Sequence, residues 1–303
     1  MRHLRTFEYV DAVVRVGSIR KAAEVLSITP SALNRRIQAL EEDLGEQVFE
    51  RLPRGVRLSA AGEILIQHIR EQISDMDQVK SKIADLSGVR RGNVNIACSQ
   101  ALIPYFLPEQ ITRYRQDHPA VTFAVYVRDR TAAEEALASF AADVALVFEP
   151  VRFAKFYTLL KVKQPVHAVM AADHPLAEQE TVRLRDCLQY PVAMPSKGFG
   201  VRQLLESAVA RTSLRFEPMI ESDSFDFLRH LSVAKGMVSF QIPIGIATQT
   251  STTSALAHIR VDPRDLAEGV LYMGQLQGRS LPVAAARFAD QLATALNARY
   301  DCK

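Results

Sequence analysis

Up to Gly45, apolar residues recur at helical spacing in three blocks separated by short breaks. Phe7, Val10 and Val14 give a buried stripe to a helix over about Leu4–Val16, which Gly17 ends. Ser18 can cap a second helix carrying Ala22, Ala23 and Leu26, and the paired alanines suit close approach of two helices. Ser27-Ile28 form a turn, Thr29 is a good N-cap, and Pro30 suits the first position of a third helix. On that helix Leu33, Ile37, Leu40 and Leu44 are expected to pack inward. Ser31, Asn34, Arg35 and Gln38 share another face.

Beyond Gly45 the pattern changes to a short hairpin. Arg51, Arg54 and Arg57 surround Pro53 and Gly55, with Val56 and Leu58 alternating. Two short helices, a tight turn and an arginine-studded hairpin make the pattern of a winged helix-turn-helix, which places one helix in the major groove of DNA. The expected contacts are Thr29, Ser31, Ala32, Asn34, Arg35 and Gln38 on the helix, and Arg51, Arg54 and Arg57 on the wing. A solvated amphipathic face is the bland alternative; capping, spacing and wing together favour the groove. Glu41, Glu42, Asp43 and Glu46 mark an end that phosphate would repel.

Ser59 can cap a long helix in which Leu65, Ile69, Gln72, Met76, Val79, Ile83 and Leu86 alternate spacings of four and three. That heptad seam predicts two helices wound together, with Gln72 its polar member. The alternative is an amphipathic helix packing on its own domain. The Ser87–Gly92 stretch breaks the helix and is the best domain boundary.

After Gly92, strand-like and helix-like segments alternate. Strands are predicted at Val94–Cys98, Val121–Val127, Val144–Phe148, Val166–Ala171, Pro191–Met194, Phe216–Ile220, Met237–Ile242 and Val270–Leu276. Helices are predicted around Leu107–Arg115, Ala132–Phe140, Val201–Ala210, Phe225–Ala234 and Pro282–Tyr300. Such alternation implies parallel sheets with helices on both faces, hence an α/β class.

A chain of 303 residues is too long for one small core. A net charge of +3 is too small for a non-specific polycation, so nucleic-acid binding must come from local placement of charge. No apolar run suits a signal peptide or a membrane span. Cys98, Cys187 and Cys302 lie far apart with no Cys-x-x-Cys pair, so no metal is expected and a reducing cytoplasm is the simplest compartment.

The N-terminal segment resembles the DNA-binding domain of the LysR-type transcriptional regulators. The matching residues are Phe7, Ser18, Ala22, Ala23, Leu26, Ser31, Ala32, Leu33, Arg35, Ile37, Leu40, Glu41, Leu44, Gly45, Phe49, Arg51, Leu58, Ala61 and Gly62. Thr29-Pro30 and Asn34-Arg35-Arg36 depart from the family pattern, so the operator sequence does not carry over. The resemblance implies a winged helix-turn-helix over 1–59, a dimerisation helix over 60–89 and a two-lobed, periplasmic-binding-protein-like effector domain over 90–303. Lobe I would comprise 90–163 and 268–303, and lobe II 164–267. It also implies a homodimer, or a tetramer of dimers, on a partly two-fold-symmetric promoter operator, with RNA polymerase as a further partner if the protein activates.

In such a domain a small effector sits between the lobes. The expected contacts are Ser99, Gln100, Ala101, Arg128, Ser196, Lys197 and Phe199, with Ser222 and Phe240 as additions. Arg128 and Lys197 favour an anionic effector, and no other cofactor is expected. For each serine a helix cap is the bland alternative, and for Arg128 an ion pair. The rival functions are a solute carrier or binding module with an accidental helix-turn-helix, against which the basic wing and the missing signal peptide argue, and an enzyme on the α/β scaffold. No Gly-x-Gly-x-x-Gly, Gly-x-Ser-x-Gly, Walker loop or His-Glu-x-x-His occurs, and Cys98 reads as part of a strand.

Overall fold

Backbone N–H groups at a helix start lack intrahelical partners, and here short hydroxyl side chains supply them. In the computed structural model, Ser18 Oγ accepts from Lys21 N at 3.4 Å and Thr29 Oγ1 from Ala32 N at 3.3 Å. These caps begin α2 (Ile19–Val25) and α3 (Pro30–Leu44), which follow α1 (Arg2–Val16). Gly45, in the left-handed region at φ 74°, ends α3. The structure describes residues 2–86, 91–149, 155–212, 214–215, 217–233, 236–246 and 255–300.

The wing is β1 (Phe49–Leu52) paired antiparallel with β2 (Gly55–Leu58). Gly55 has φ +104°, and a Cβ there would lie 2.3 Å from the Gly17 carbonyl oxygen. That closeness allows Val56 N to donate to Gly17 O at 3.0 Å, tying the wing to the turn after α1. Glu41 Oε1 accepts from Val48 N (2.8 Å) and Phe49 N (3.1 Å), anchoring the wing to α3.

The long helix α4 (Ala60–Leu86) starts where Gly62 N donates to Ser59 Oγ at 3.0 Å. Its first half corrects the heptad expectation. Ile69 is fully buried and Leu65 half-buried, both against the core built by Val10, Val13, Leu33 and Ile37. Three short helices cannot enclose that core, so α4 closes it. Arg70, paired with the buried Asp11 at 2.9 Å, fixes the same face. Met76 is half-buried, while Val79 and Ile83 are exposed. The Leu86 side chain and most of the boundary stretch, 87–90, lie outside the described residues. Leu44 is also exposed rather than packed, because the last turn of α3 runs past the core.

The remaining chain forms two mixed sheets. The first has order β4-β3-β5-β13-β6, from β3 (Gly92–Cys98), β4 (Val121–Val127), β5 (Val144–Phe148), β6 (Phe156–Gln164) and β13 (Gly269–Leu276). It packs with α5 (Phe106–Asp117), α6 (Arg130–Ala138) and α10 (Val283–Arg299). The second has order β10-β9-β11-β7-β12-β8. Its strands are β7 (His167–Ala171), β8 (Thr181–Val182), β9 (Val192–Pro195), β10 (Ile220–Ser222), β11 (Val238–Gln241) and β12 (Leu256–Val261). Helices α7 (Leu184–Cys187), α8 (Gly200–Val209) and α9 (Phe225–Leu231) complete this lobe.

All-parallel sheets were expected; β13 instead runs antiparallel to both β5 and β6. The reason is the crossing between lobes. β6 leaves the first sheet and β13 returns to it, with Gln164 opposite Gly269, so outgoing and incoming segments must oppose each other. β7 is likewise antiparallel to β11 and β12. Sequence reading missed β6, β8 and β12 and set β10 too early. That strand lies at the sheet edge and pairs only where it meets Ala193–Pro195 of β9. Phe216 and Ala234, the expected ends of two elements, lie outside the described residues. By contacts the chain divides into two units, Met1–Gly88 with Arg279–Pro282, and Val89–Gly278 with Val283–Lys303.

Candidate functional site

Burying Leu33 and Ile37 turns the opposite face of α3 outward. Thr29, Ser31, Arg35 and Gln38 are exposed, and Ala32 and Asn34 are half-buried. Asn34 is already engaged, since Arg51 Nη2 donates to its Oδ1 at 3.1 Å and so joins wing to helix. Arg54 sits exposed in the turn between the wing strands. Arg57 does not offer a free cation: its Nη2 lies 2.6 Å from Glu50 Oε2, directly across the hairpin. Helix and wing tip thus present uncommitted donors in Arg35, Gln38 and Arg54, beside Ser31, whose Oγ lies 3.3 Å from Thr29 Oγ1, and two arginines with intramolecular partners. Arg35 and Gln38 are long enough to reach base edges, and Arg54 suits a phosphate.

In the second unit, strand ends and helix starts converge on a cleft between the two sheets. Ser99, Ala101, Arg128 and Phe199 line it as expected, beside Arg130, Phe148, Gly200, Val201, Phe225 and Gln241. The cleft holds about 340 Å³ of empty space, pinched until room remains for about one water-sized sphere. Five expected contacts do not line it. Gln100 latches the lobes instead: its Nε2 donates to Asp223 O at 3.1 Å, and its Oε1 accepts from Phe225 N. Ser196 shapes the turn before α8, its O accepting from Phe199 N at 3.2 Å, and Lys197 points to solvent. Ser222 Oγ accepts from Ser224 N at 3.1 Å, a local turn bond, while Ser224 and not Ser222 caps α9. Phe240 is buried in the core of its lobe because β11 is an interior strand, covered on both sides.

Arg128 reaches the cleft but is partly occupied, with Nη1 donating to Val127 O at 3.1 Å and the guanidinium 5.3 Å from the Tyr126 ring centre. The cation that sequence reading missed is Arg130. Its Nε is buried with no hydrogen-bond partner. Burial pushes its pKa down, against the opposing pull of Glu149 and Glu134. The start of α8 lines the same cleft through Gly200 and Val201, and Phe199 supplies it no side-chain cap. A Cβ at Gly200 would lie 2.8 Å from Phe148 O, so glycine permits this packing.

A family model described as the bacterial regulatory helix-turn-helix protein, lysR family, matches residues 2–63. A second, the LysR substrate binding domain, matches residues 87–297. The chain belongs to the LysR family of transcription regulators. It is 30% identical over 239 residues to the uncharacterized regulator YbhD of Escherichia coli K12, covering 78% of this chain and 74% of that one. A full-length OxyR variant from Pseudomonas aeruginosa shares the fold at a TM-score of 0.71 and 17% identity, covering 97% of this chain and 94% of that chain. Full-length CbnR, solved with its target DNA, matches at a TM-score of 0.60 and 17% identity over 96% and 99% of the two chains.

This LysR-family protein is thus a DNA-binding transcription regulator with an effector-binding domain. Among the described residues the thiols are not exposed nucleophiles. Cys98 and Cys187 are buried, and burial pushes both pKa values up to about 12. Among the described residues, no helix is long and apolar enough to cross a membrane. A signal for Arg130 did exist in the sequence: it directly follows Asp129, a potential helix N-cap after a strand.

Proposed function

We propose that this regulator acts in the cytoplasm, without catalytic activity, as a homodimer or tetramer on a partly palindromic promoter operator. Arg35 and Gln38 read bases and Arg54 holds phosphate. Thr29, Ser31 and Ala32 line the approach, Asn34 and Arg51 brace helix against wing, and Arg57 adds charge modulated by Glu50. The exposed Val79 and Ile83 on α4 supply the pairing surface, with Met76 beside them. The CbnR–DNA complex supports the docking mode by fold. RNA polymerase is the further partner where binding activates.

The effector is a small anion with an apolar body. The observation that carries this reading is Arg130, whose unpartnered buried Nε shares with the start of α8, which has no side-chain cap, a cleft walled by Phe148, Phe199 and Phe225. A buried donor without an acceptor is costly, and a carboxylate or phosphate placed there supplies one. Ser99, Ala101 and Arg128 complete the wall. The bound anion favours one lobe arrangement, which is the differential affinity any switch requires.

Two experiments test this. Arg35→Ala should weaken operator binding by about 1–3 kcal/mol with altered base preference; unchanged affinity sinks the recognition-helix assignment. Thermal-shift screening against small carboxylates and phosphates should give hits whose stabilisation disappears in Arg130→Gln, with DNA binding retained without ligand. Hits that survive Arg130→Gln undiminished refute the anion reading.

A further inference from the structure

A second, smaller cavity lies inside lobe II, behind the cleft and separated from it by Phe225 and Gln241, which line both. Arg229, Ser239 and His258 also face it. Two polar atoms there are buried without a hydrogen-bond partner, Arg229 Nε and His258 Nδ1. The rest of the Arg229 guanidinium is fixed, Nη1 donating to Tyr105 Oη at 3.1 Å and Nη2 to Asp226 Oδ1 at 3.3 Å. Ser232 Oγ donates to Leu228 O at 3.1 Å, so the Ser239 hydroxyl hydrogen is taken by Ser232 Oγ at 2.6 Å. The groups left for an occupant are Arg229 Nε–H and, in the tautomer that carries its proton on Nδ1, the His258 ring.

His258 and Arg229 line this space, with a second histidine and a second arginine beside them and one carboxylate paired to each arginine. His167 and Arg260 are register partners on the same sheet face as His258. Of the nearby carboxylates, Glu268 is tied to Arg260 at 2.6 Å and Asp226 to Arg229 at 3.3 Å. Burial, and then the Arg229 charge, push the His258 pKa down. The cavity has room for about one water-sized sphere, and because it is lined from one lobe alone it does not widen, as the cleft does, when the lobes separate.

We propose that this cavity is a separate site for one small inorganic anion of halide size, held by Arg229 Nε–H and the His258 ring. The proposal does not rest on the effector reading of the cleft. The site's lever is α9. That helix starts at Phe225, whose N–H donates to Gln100 of lobe I, and carries Arg229, bonded to Tyr105 of lobe I. An anion bracing Arg229 acts on the wall and latch of the cleft, so anion and effector affinities must be linked reciprocally.

The test uses the full chain with chloride exchanged for gluconate at constant ionic strength. Chloride should raise the melting temperature saturably, and His258→Leu should abolish that rise. Wild-type crystals soaked in bromide guard against a variant that fails to fold: an anomalous bromide peak should lie within hydrogen-bond distance of Arg229 Nε. An ordered water in place of the peak overturns the proposal. So does a chloride response that survives His258→Leu. Either failure leaves the Arg130 prediction for the cleft untouched.

Discussion

Replacing Glu50 with glutamine should strengthen DNA binding, because that carboxylate occupies a wing cation. Arg57 Nη2 lies 2.6 Å from Glu50 Oε2, and both side chains are well exposed, 66% and 45%. An exposed pair of this kind contributes about 0–1 kcal/mol to folding, so Glu50→Gln should barely move the melting temperature. Its effect on DNA is larger. A freed Arg57 that neutralises one more phosphate steepens the slope of log K against log salt by about 0.9. Referred to 1 M salt, that corresponds to about fifteenfold tighter binding near 50 mM and about fourfold near 200 mM. Fluorescence anisotropy on a duplex from the gene's own upstream region, across that salt range, measures both quantities. The gain should vanish when Arg57→Gln is added, which distinguishes a liberated arginine from simple loss of negative charge. An unchanged slope, or an equal gain in the Arg57→Gln background, refutes the argument.

Three further outcomes follow from the packing. Gly62→Ala would normally gain up to about 1 kcal/mol in a helix, but here its Cβ would lie 2.2 Å from Val48 O. The clash with backbone should win and destabilise the first unit by about 1–3 kcal/mol; an equal or higher melting temperature contradicts this. His167 is held to about pKa 4 by burial, then by His258 and Arg260, against an ordinary value of 6.5. The unfolded chain therefore binds the proton more readily, and stability present above pH 6.5 should be lost as pH falls toward 4, by at most about 3 kcal/mol. Thermal melts of wild type and His167→Gln across that window check the sign, the variant giving the flatter curve. Finally, Cys98 and Cys187 should resist iodoacetamide in the folded protein and react on unfolding, since their thiolates are suppressed. Rapid labelling of either at neutral pH, read by peptide mass mapping, would contradict the burial described.

Local chemistry made much of the chain legible. Helix starts at Ser18 and Thr29, the stop at Gly45 and the wing turn at Pro53–Gly55 depend on residues a few positions apart, and sequence reading located them all. Strands over 121–127 and 144–148 were equally readable as apolar runs between breaks. Lobe crossings and partner identities depend on residues far apart in the chain. Arg57 reads as a DNA contact until register puts Glu50 opposite it. Gln100 reads as a ligand contact until the fold brings Phe225 to its amide. Ile69 reads as a dimer-seam position until the helical core is seen to need a lid.

The amino-acid order by itself determined the helices of the first unit, most strands of the first sheet and which face of α3 turns outward, because periodicity and capping act over one or two turns. Only the tertiary structure decided which cations remain uncommitted. Whether Arg35, Arg57, Arg128, Arg130 or Arg229 can receive a phosphate, a carboxylate or a halide depends on acceptors supplied by distant residues. A guanidinium's chemistry is set by what already fills its donors, and that is a property of packing.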